Sequence, residues 1–173
     1  MRIVTTPMCE EVVKLAGIKE YKVNKNPDLE EGDLAILLSE SKVEMESLAI
    51  KLNTPRQLFE SIKEVSKLAE GELTDEEILE FFRDYELASK YLENHDNSQV
   101  KVKVLSNFLT DIINNMGFEI TEYNYDYVIY PDYLKGNIQN ESSKCVEIPS
   151  HTFVSKNPFE RIETRYGILE KLI

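Results

Sequence analysis

Asp33-Leu34-Ala35-Ile36-Leu37-Leu38-Ser39-Glu40-Ser41 is the stretch on which the fold turns. Leu34 to Leu38 are apolar without alternation, between an acidic residue and a polar turn sequence. A half-exposed strand alternates apolar and polar side chains. A run that is apolar throughout suits a strand covered on both faces, as in a parallel sheet flanked by helices. Upstream, Arg2 to Thr5 has the pattern of a short buried strand that ends at Pro7. The spacing of Val12, Val13, Leu15 and Ala16 then predicts a helix over 9–15, with Gly17 at its C-cap. Lys19 to Gly32 is polar and broken by Pro27 and Gly32, so it reads as a connection. Downstream, Leu48 to Leu52 fits a third strand.

The clearest boundary is Thr54-Pro55-Arg56-Gln57: an N-cap threonine, a proline in the first turn and a glutamine that completes a capping box. Leu58, Phe59, Ile62, Val65, Leu68 and Ala69 follow as an apolar stripe. Gly71 interrupts it, and Thr74-Asp75-Glu76-Glu77 opens a second helix with Ile78, Leu79, Phe82, Tyr85 and Leu92 facing inward. Together these predict one long, kinked helical segment. After a polar break, Val100, Val102 and Val104 alternate with Lys101 and Lys103 as a strand. Ser106 caps a helix carrying Phe108, Leu109, Ile112, Ile113 and Met116, which Gly117 ends. Phe118 to Ile120 and Tyr127 to Tyr130 read as strands, Pro131 to Ser143 as a turn-rich loop, and Val146 to Ile148 as a further strand. Asn157-Pro158 starts a closing helix with Ile162, Ile168, Leu169 and Leu172 on its apolar side. Strands alternating with helices on either side of a helical middle predict an α/β protein of two small lobes with parallel strands. The boundaries are an N-terminal lobe at 1–53, a linking helical segment at 54–97 and a C-terminal lobe at 98–173.

The 173 residues carry 32 acidic and 20 basic side chains, a formal net charge of −12, with a pI near 4.7. That argues against nucleic acid or an anionic membrane as partner, because both select basic surfaces. Two cysteines do not make a disulfide framework, and nothing approaches the ~20 apolar residues of a membrane helix. With no apolar leader at the start, the expectation is a soluble cytoplasmic protein. The charge is uneven: residues 70–96 hold ten acidic and two basic side chains. Glycine loops for phosphates, G-x-S-x-G and dinucleotide fingerprints are absent.

Arg2-Ile3-Val4, Pro7, Glu11-Val12-Val13 and Gly17, in that order, resemble the opening of the helical-backbone metal receptors, the periplasmic binding proteins for vitamin B12, haem and ferric siderophores. Asp33 to Leu37 resembles their second strand, with Gly32 in place of a proline. Asn53 to Glu70 is similar to the start of their long connecting helix. Ser106 to Ile120, Tyr125 to Asp132 and Phe153 to Ile173 resemble their C-lobe helix, the strand after it and the closing segment. The resemblance implies a chelatase-like or periplasmic-binding-like fold with a ligand held between lobes. The chain is shorter than those receptors and opens without a secretion signal, so the fold is implied more than a transport role. Its Lys, Ile, Asn and Glu bias also resembles that of methanogenic archaeal proteins.

In open α/β sheets, ligands bind beyond the carboxyl ends of the strands. That rule collects Thr5, Thr6, Cys9 and Glu10 after the first strand, and Ser39, Glu40 and Ser41 after the second. It adds Ser106 after a strand of the C-terminal half, Asp132 and Tyr133 after a later one, and His151 in the loop Pro149-Ser150-His151-Thr152. The first helix's free N–H groups would face an anion, with Thr6 and Pro7 as its cap and first residue. Cys9 in its first turn would have a lowered pKa and could act as a nucleophile or, with His151 or Cys145, as a metal ligand. A small buried structural cysteine is the alternative. Tyr123, Tyr125 and Tyr127 alternate, so an extended segment would present them on one face, to a flat ligand, to a partner or simply to the sheet edge. Asn140-Glu141-Ser142 matches a glycosylation sequon without meaning in the cytoplasm.

Three readings stand at this point. The first is a ligand-binding protein for a small anionic, metal-chelate or tetrapyrrole-like molecule. The second is a structural or regulatory interaction protein, self-associating as a homodimer or docking a protein partner through the acidic segment 74–93 or the tyrosine-rich segment 123–133. The third is an enzyme using Cys9.

Overall fold

The computed structural model describes residues 1–138, 144–152 and 154–173; the sequon at 140–142 and Phe153 lie outside them. The apolar run forms the strand Leu34–Leu38, β3, with Ala35, Ile36 and Leu37 buried. It lies between β1 (Ile3–Thr5) and β4 (Ser47–Ile50), and β2 (Tyr21–Val23) flanks β1. All pairings are parallel, with Thr5 opposite Ile36 and Leu38 opposite Ile50. β2 falls inside the stretch expected to be a connection. It is an edge strand of three residues with Lys22 and Val23 exposed, so it carries no apolar signature.

The second sheet repeats this plan. β5 (Lys101–Val104), β6 (Glu119–Ile120), β7 (Tyr127–Pro131) and β8 (Cys145–Ile148) are parallel in the order β6-β5-β7-β8. The first sheet has the order β2-β1-β3-β4. In each, the chain leaves a central strand to one side and returns to the other. Each sheet therefore has a topological switch point, between β1 and β3 and between β5 and β7.

Helix α1 is Glu10–Leu15. The mid-chain segment is three helices rather than one kinked one: α2 (Pro55–Ser66), α3 (Asp75–Phe82) and α4 (Glu86–Lys90). Gly71 turns the chain at φ +102°, and both capping boxes form, at Thr54 and Thr74. A satisfied cap at Thr74 starts a helix instead of continuing one. Ile78 and Phe82 are buried as expected, but Leu79 is 44% exposed, one residue off the inward stripe. Helix α5 (Asn107–Met116) runs from Ser106 to a left-handed Gly117. Helix α6 (Pro158–Glu170) starts at Asn157, whose side chain accepts the Phe159 amide.

α6 comes back across the molecule onto α2 and α4. Phe159 stacks on Tyr85 (4.6 Å, 13°) and meets Phe82 edge-on (4.9 Å, 80°). Glu163 accepts the amides of Leu87 and Ala88 (2.9 and 3.1 Å), covering the start of α4. The buried Tyr166 hydroxyl donates to Asn115 of α5 (2.6 Å), whose amide donates in turn to the Tyr91 carbonyl (3.1 Å). The core is therefore continuous from the first sheet through the helices to the second. Asp111 of α5 adds a polar tie, accepting from Asn53 (3.1 Å) and Gln57 (2.9 Å) at the base of α2. Among the described residues, no helix is long and apolar enough to cross a membrane.

Candidate functional site

The two sets of strand ends meet across the start of α6. Cys9 and Glu40 follow β1 and β3, Phe108 follows β5, and Asp132 and His151 follow β7 and β8. The electrostatic neighbours of His151 are Arg165, Arg161, Glu40 and Asp132, drawn from both halves of the chain. Those of Cys9 include Arg161 and Glu40. Glu40, Asp132, His151, Arg161 and Arg165 are thus electrostatic neighbours, with Cys9 near Arg161 and Glu40.

Several expected residues serve the frame. Thr5 is buried and its hydroxyl donates to the Ile36 carbonyl (2.9 Å), tying β1 to β3 at the switch point. Thr6 is not the cap of α1. Its carbonyl accepts the Cys9 amide (3.0 Å) in a turn over 7–9, and Cys9 itself is the N-cap, without a capping side-chain bond. The amide expected to face an anion is thereby used, and a six-residue helix carries little dipole. Cys9 is wholly buried, and burial pushes its thiol up to about 11 against the opposing effects of Thr6 and Arg161. The sign is opposite to the thiolate expected from a helix start: desolvation outweighs the dipole. Glu10 faces the β2 side, accepting from Tyr21 (3.4 Å) and pairing with Lys14 (3.4 Å).

Ser39, Glu40 and Ser41 form an exposed turn, in which the Ser39 amide donates to Ile50 and the Ser41 amide to Leu38 (2.9 Å each). Ser106 is a cap, its hydroxyl oxygen accepting the Leu109 amide at 3.5 Å. Asp132 accepts the amide and hydroxyl of Ser150 (3.1 and 2.5 Å). Burial would raise its carboxyl, but the bonds from Ser150 and Tyr133 and the nearby His151 hold it below the usual aspartate value. Tyr133, 63% exposed, lines a hollow of about 600 Å³ with Asp132, Lys135, Glu147, Pro149, Thr152 and Ile168. Among the described residues, no three His, Cys, Asp or Glu side chains are grouped to hold a metal. The tyrosines do not share a face either: Asn124 turns at φ +56°, Tyr123 is 81% exposed, and only Tyr127 of the three lies in a strand.

The sequence reading passed over Arg161 and Arg165, one turn apart on α6 and only 2% and 3% exposed. Arg161 donates from Nη1 to the carbonyls of Ser155 (3.2 Å) and Lys156 (3.0 Å). Arg165 donates from Nε to the Pro149 carbonyl (2.9 Å) and from Nη2 to that of Ser150. Its guanidinium lies 5.0 Å from the Phe108 ring centre, and Phe108 lies 6.4 Å from the His151 ring. Among the described residues, neither arginine forms an ion pair, and the acceptors given for them are backbone carbonyls. Burial lowers both guanidiniums to about 10, and for Arg165 the nearby Asp132 opposes it. A sequence signal for them exists. Arg165 stands three residues after Ile162 and four before Leu169, inside the apolar stripe, where a charge is out of place.

No protein-family model matches this sequence, and no curated protein does. Among solved structures, the periplasmic vitamin B12-binding protein BtuF of Vibrio cholerae superposes with a TM-score of 0.59 at 9% identity, covering 99% of this chain and 96% of that one. The laminin-binding protein Lbp of Streptococcus pyogenes aligns with a TM-score of 0.45 at 12% identity over 98% and 97% of the two chains. The first likeness is one of fold, and it agrees with the periplasmic-binding-like architecture expected from the sequence.

Proposed function

We propose that this chain binds a small anionic ligand in the cleft between its two sets of strand ends, with the ligand's negative group on Arg161 and Arg165. The observation that carries this reading is the pair of buried guanidiniums with no carboxylate partner among the described residues. An unpaired buried cation costs several kcal/mol, and strongly perturbed charges in clefts concentrate at functional sites. The scaffold supports the same place, since parallel sheets bind ligands at their switch points. The ligand class includes anionic metal chelates and tetrapyrroles bearing carboxylates. A vitamin B12-binding protein sharing the fold supports adding a corrinoid to the compounds tried, its negative group being the nucleotide-loop phosphodiester. Cys9 does not enter this reading as a nucleophile, because its thiol is buried and protonated.

The test is the thermal unfolding midpoint in the presence of sulfate, citrate, ferric citrate, haemin and hydroxocobalamin, each with the wild type and with Arg161→Met. A ligand at about 100 times its Kd stabilises by about 2.7 kcal/mol, which raises the midpoint by several degrees. At least one anionic compound is expected to do so, and Arg161→Met to abolish the shift. A midpoint unmoved by the whole panel, or a shift retained in Arg161→Met, contradicts the reading.

A further inference from the structure

His151 is held in place from two sides. The residue before it, Ser150, donates its amide and hydroxyl to Asp132 and lends its carbonyl to Arg165. The ring stands 6.4 Å from that of Phe108, over which the Arg165 guanidinium also lies. Four charged groups act on the imidazole: Arg161 and Arg165 from α6, Glu40 from the turn after β3, and Asp132 from the end of β7. Burial and the two guanidiniums keep it below the ordinary histidine value, with Glu40 and Asp132 opposing. An anion set against the guanidiniums would offset their field and favour the imidazolium.

We propose that His151 is the third contact of an oxyanion seated on Arg161 and Arg165, and that it takes up a proton as the anion binds. This rests on the anion seat proposed above and specifies its chemistry. Guanidinium donors beyond those given to the carbonyls, with an imidazolium beside them, would suit a carboxylate, sulfonate or phosphate group with several acceptor oxygens. The sign of the pH dependence follows by linkage. A ligand that raises a histidine's pKa binds most tightly below the value in the free protein. Affinity then declines between the free and bound values and levels off above the bound one.

Sulfate is a suitable probe because its charge is constant through the histidine range, about pH 5 to 8. The chain has two histidines. His95 lies apart, against the Lys90 carbonyl and the Tyr91 ring, and its signals serve as a reference. Imidazole proton NMR is followed across that range with and without sulfate at constant ionic strength, and sulfate affinity is measured at both ends. The His151 midpoint is expected to rise by about half a unit or more with sulfate, and affinity to fall about 3-fold or more from acid to alkaline pH. His151→Gln, which cannot take up the proton, is expected to bind sulfate more weakly than the wild type does at acid pH, and without that dependence. An unmoved His151 midpoint in the sulfate-bound wild type, or a pH dependence that persists in His151→Gln, overturns the role of His151 and leaves the anion seat intact. Absence of sulfate binding at every pH overturns this inference, and the seat as well if citrate, ferric citrate, haemin and hydroxocobalamin also leave the unfolding midpoint unmoved.

Discussion

Cys9 and Arg161 show how burial decides chemistry at the level of single residues. Each is almost wholly buried in the same region, and each is pushed toward its uncharged form: the thiol up to about 11, the guanidinium down to about 10. For the thiol that shift costs nothing, because a neutral SH is the form already populated at neutral pH. For the guanidinium even a value near 10 leaves the charge in place, so the cation stays. The two predictions diverge accordingly. Thiol alkylation near pH 8 is expected to leave Cys9 unmodified in the native protein, and mass spectrometry of the peptides after unfolding should then find it reactive. Native labelling of Cys9 at the rate of an exposed thiol contradicts its burial. The sequence offered Cys9 as a candidate because a helix start near Thr6 was a fair reading of Thr-Pro. The actual start, three residues later, depends on a turn that no local pattern marks.

At the level of elements, the helix ends were the most readable features. The capping boxes at Thr54 and Thr74, the Ser106 cap and the left-handed Gly117 all stand where the residues suggested. Each is a local hydrogen-bonding arrangement that its own few residues determine. The edge strand β2 was harder and was read as a connection, because an edge borrows its structure from its neighbour's backbone and needs little apolar pattern; the edge strand β6 falls where Phe118 to Ile120 was read as a strand. The arginines of α6 were legible only in part: Arg165 stands out inside the apolar stripe, but what both face is set by the loop after β8 and by Phe108, far away in the chain. A contrast of two glycines tests this picture of local ends and distant packing. Gly71 and Gly117 both have positive φ, but a Cβ at Gly71 meets nothing within 4 Å, whereas at Gly117 it runs into the His95 carbonyl. Gly71→Ala is expected to cost about 1–2 kcal/mol from backbone strain alone. Gly117→Ala should cost distinctly more, in urea denaturation, because the chain at His95 must also move. Equal costs at the two sites contradict the close approach of α5's end to residues 95–96.

For the whole molecule, two parallel sheets of the same strand order turn their carboxyl ends toward one region, and α6 crosses back to bring two cations there. The sequence conveyed the alternation of strands and helices, and with it the α/β class. It did not reveal the repeated order β2-β1-β3-β4 and β6-β5-β7-β8, since topology is not written in periodicity. The net charge of −12 also acquires a place. Glu76, Glu80 and Asp84 are exposed on and just after α3, while the cleft gathers Arg161 and Arg165. An acidic chain can thus offer a locally positive site, with the surrounding charge weakening long-range attraction of the ligand at low ionic strength. The most direct measurement is diffraction from crystals grown with selenate, an oxyanion whose selenium is located by its anomalous signal. The account predicts a selenium peak within hydrogen-bonding reach of the Arg161 and Arg165 guanidiniums and beside His151. Selenate bound only at other surfaces, with those arginines bonded solely to protein carbonyls, would contradict it.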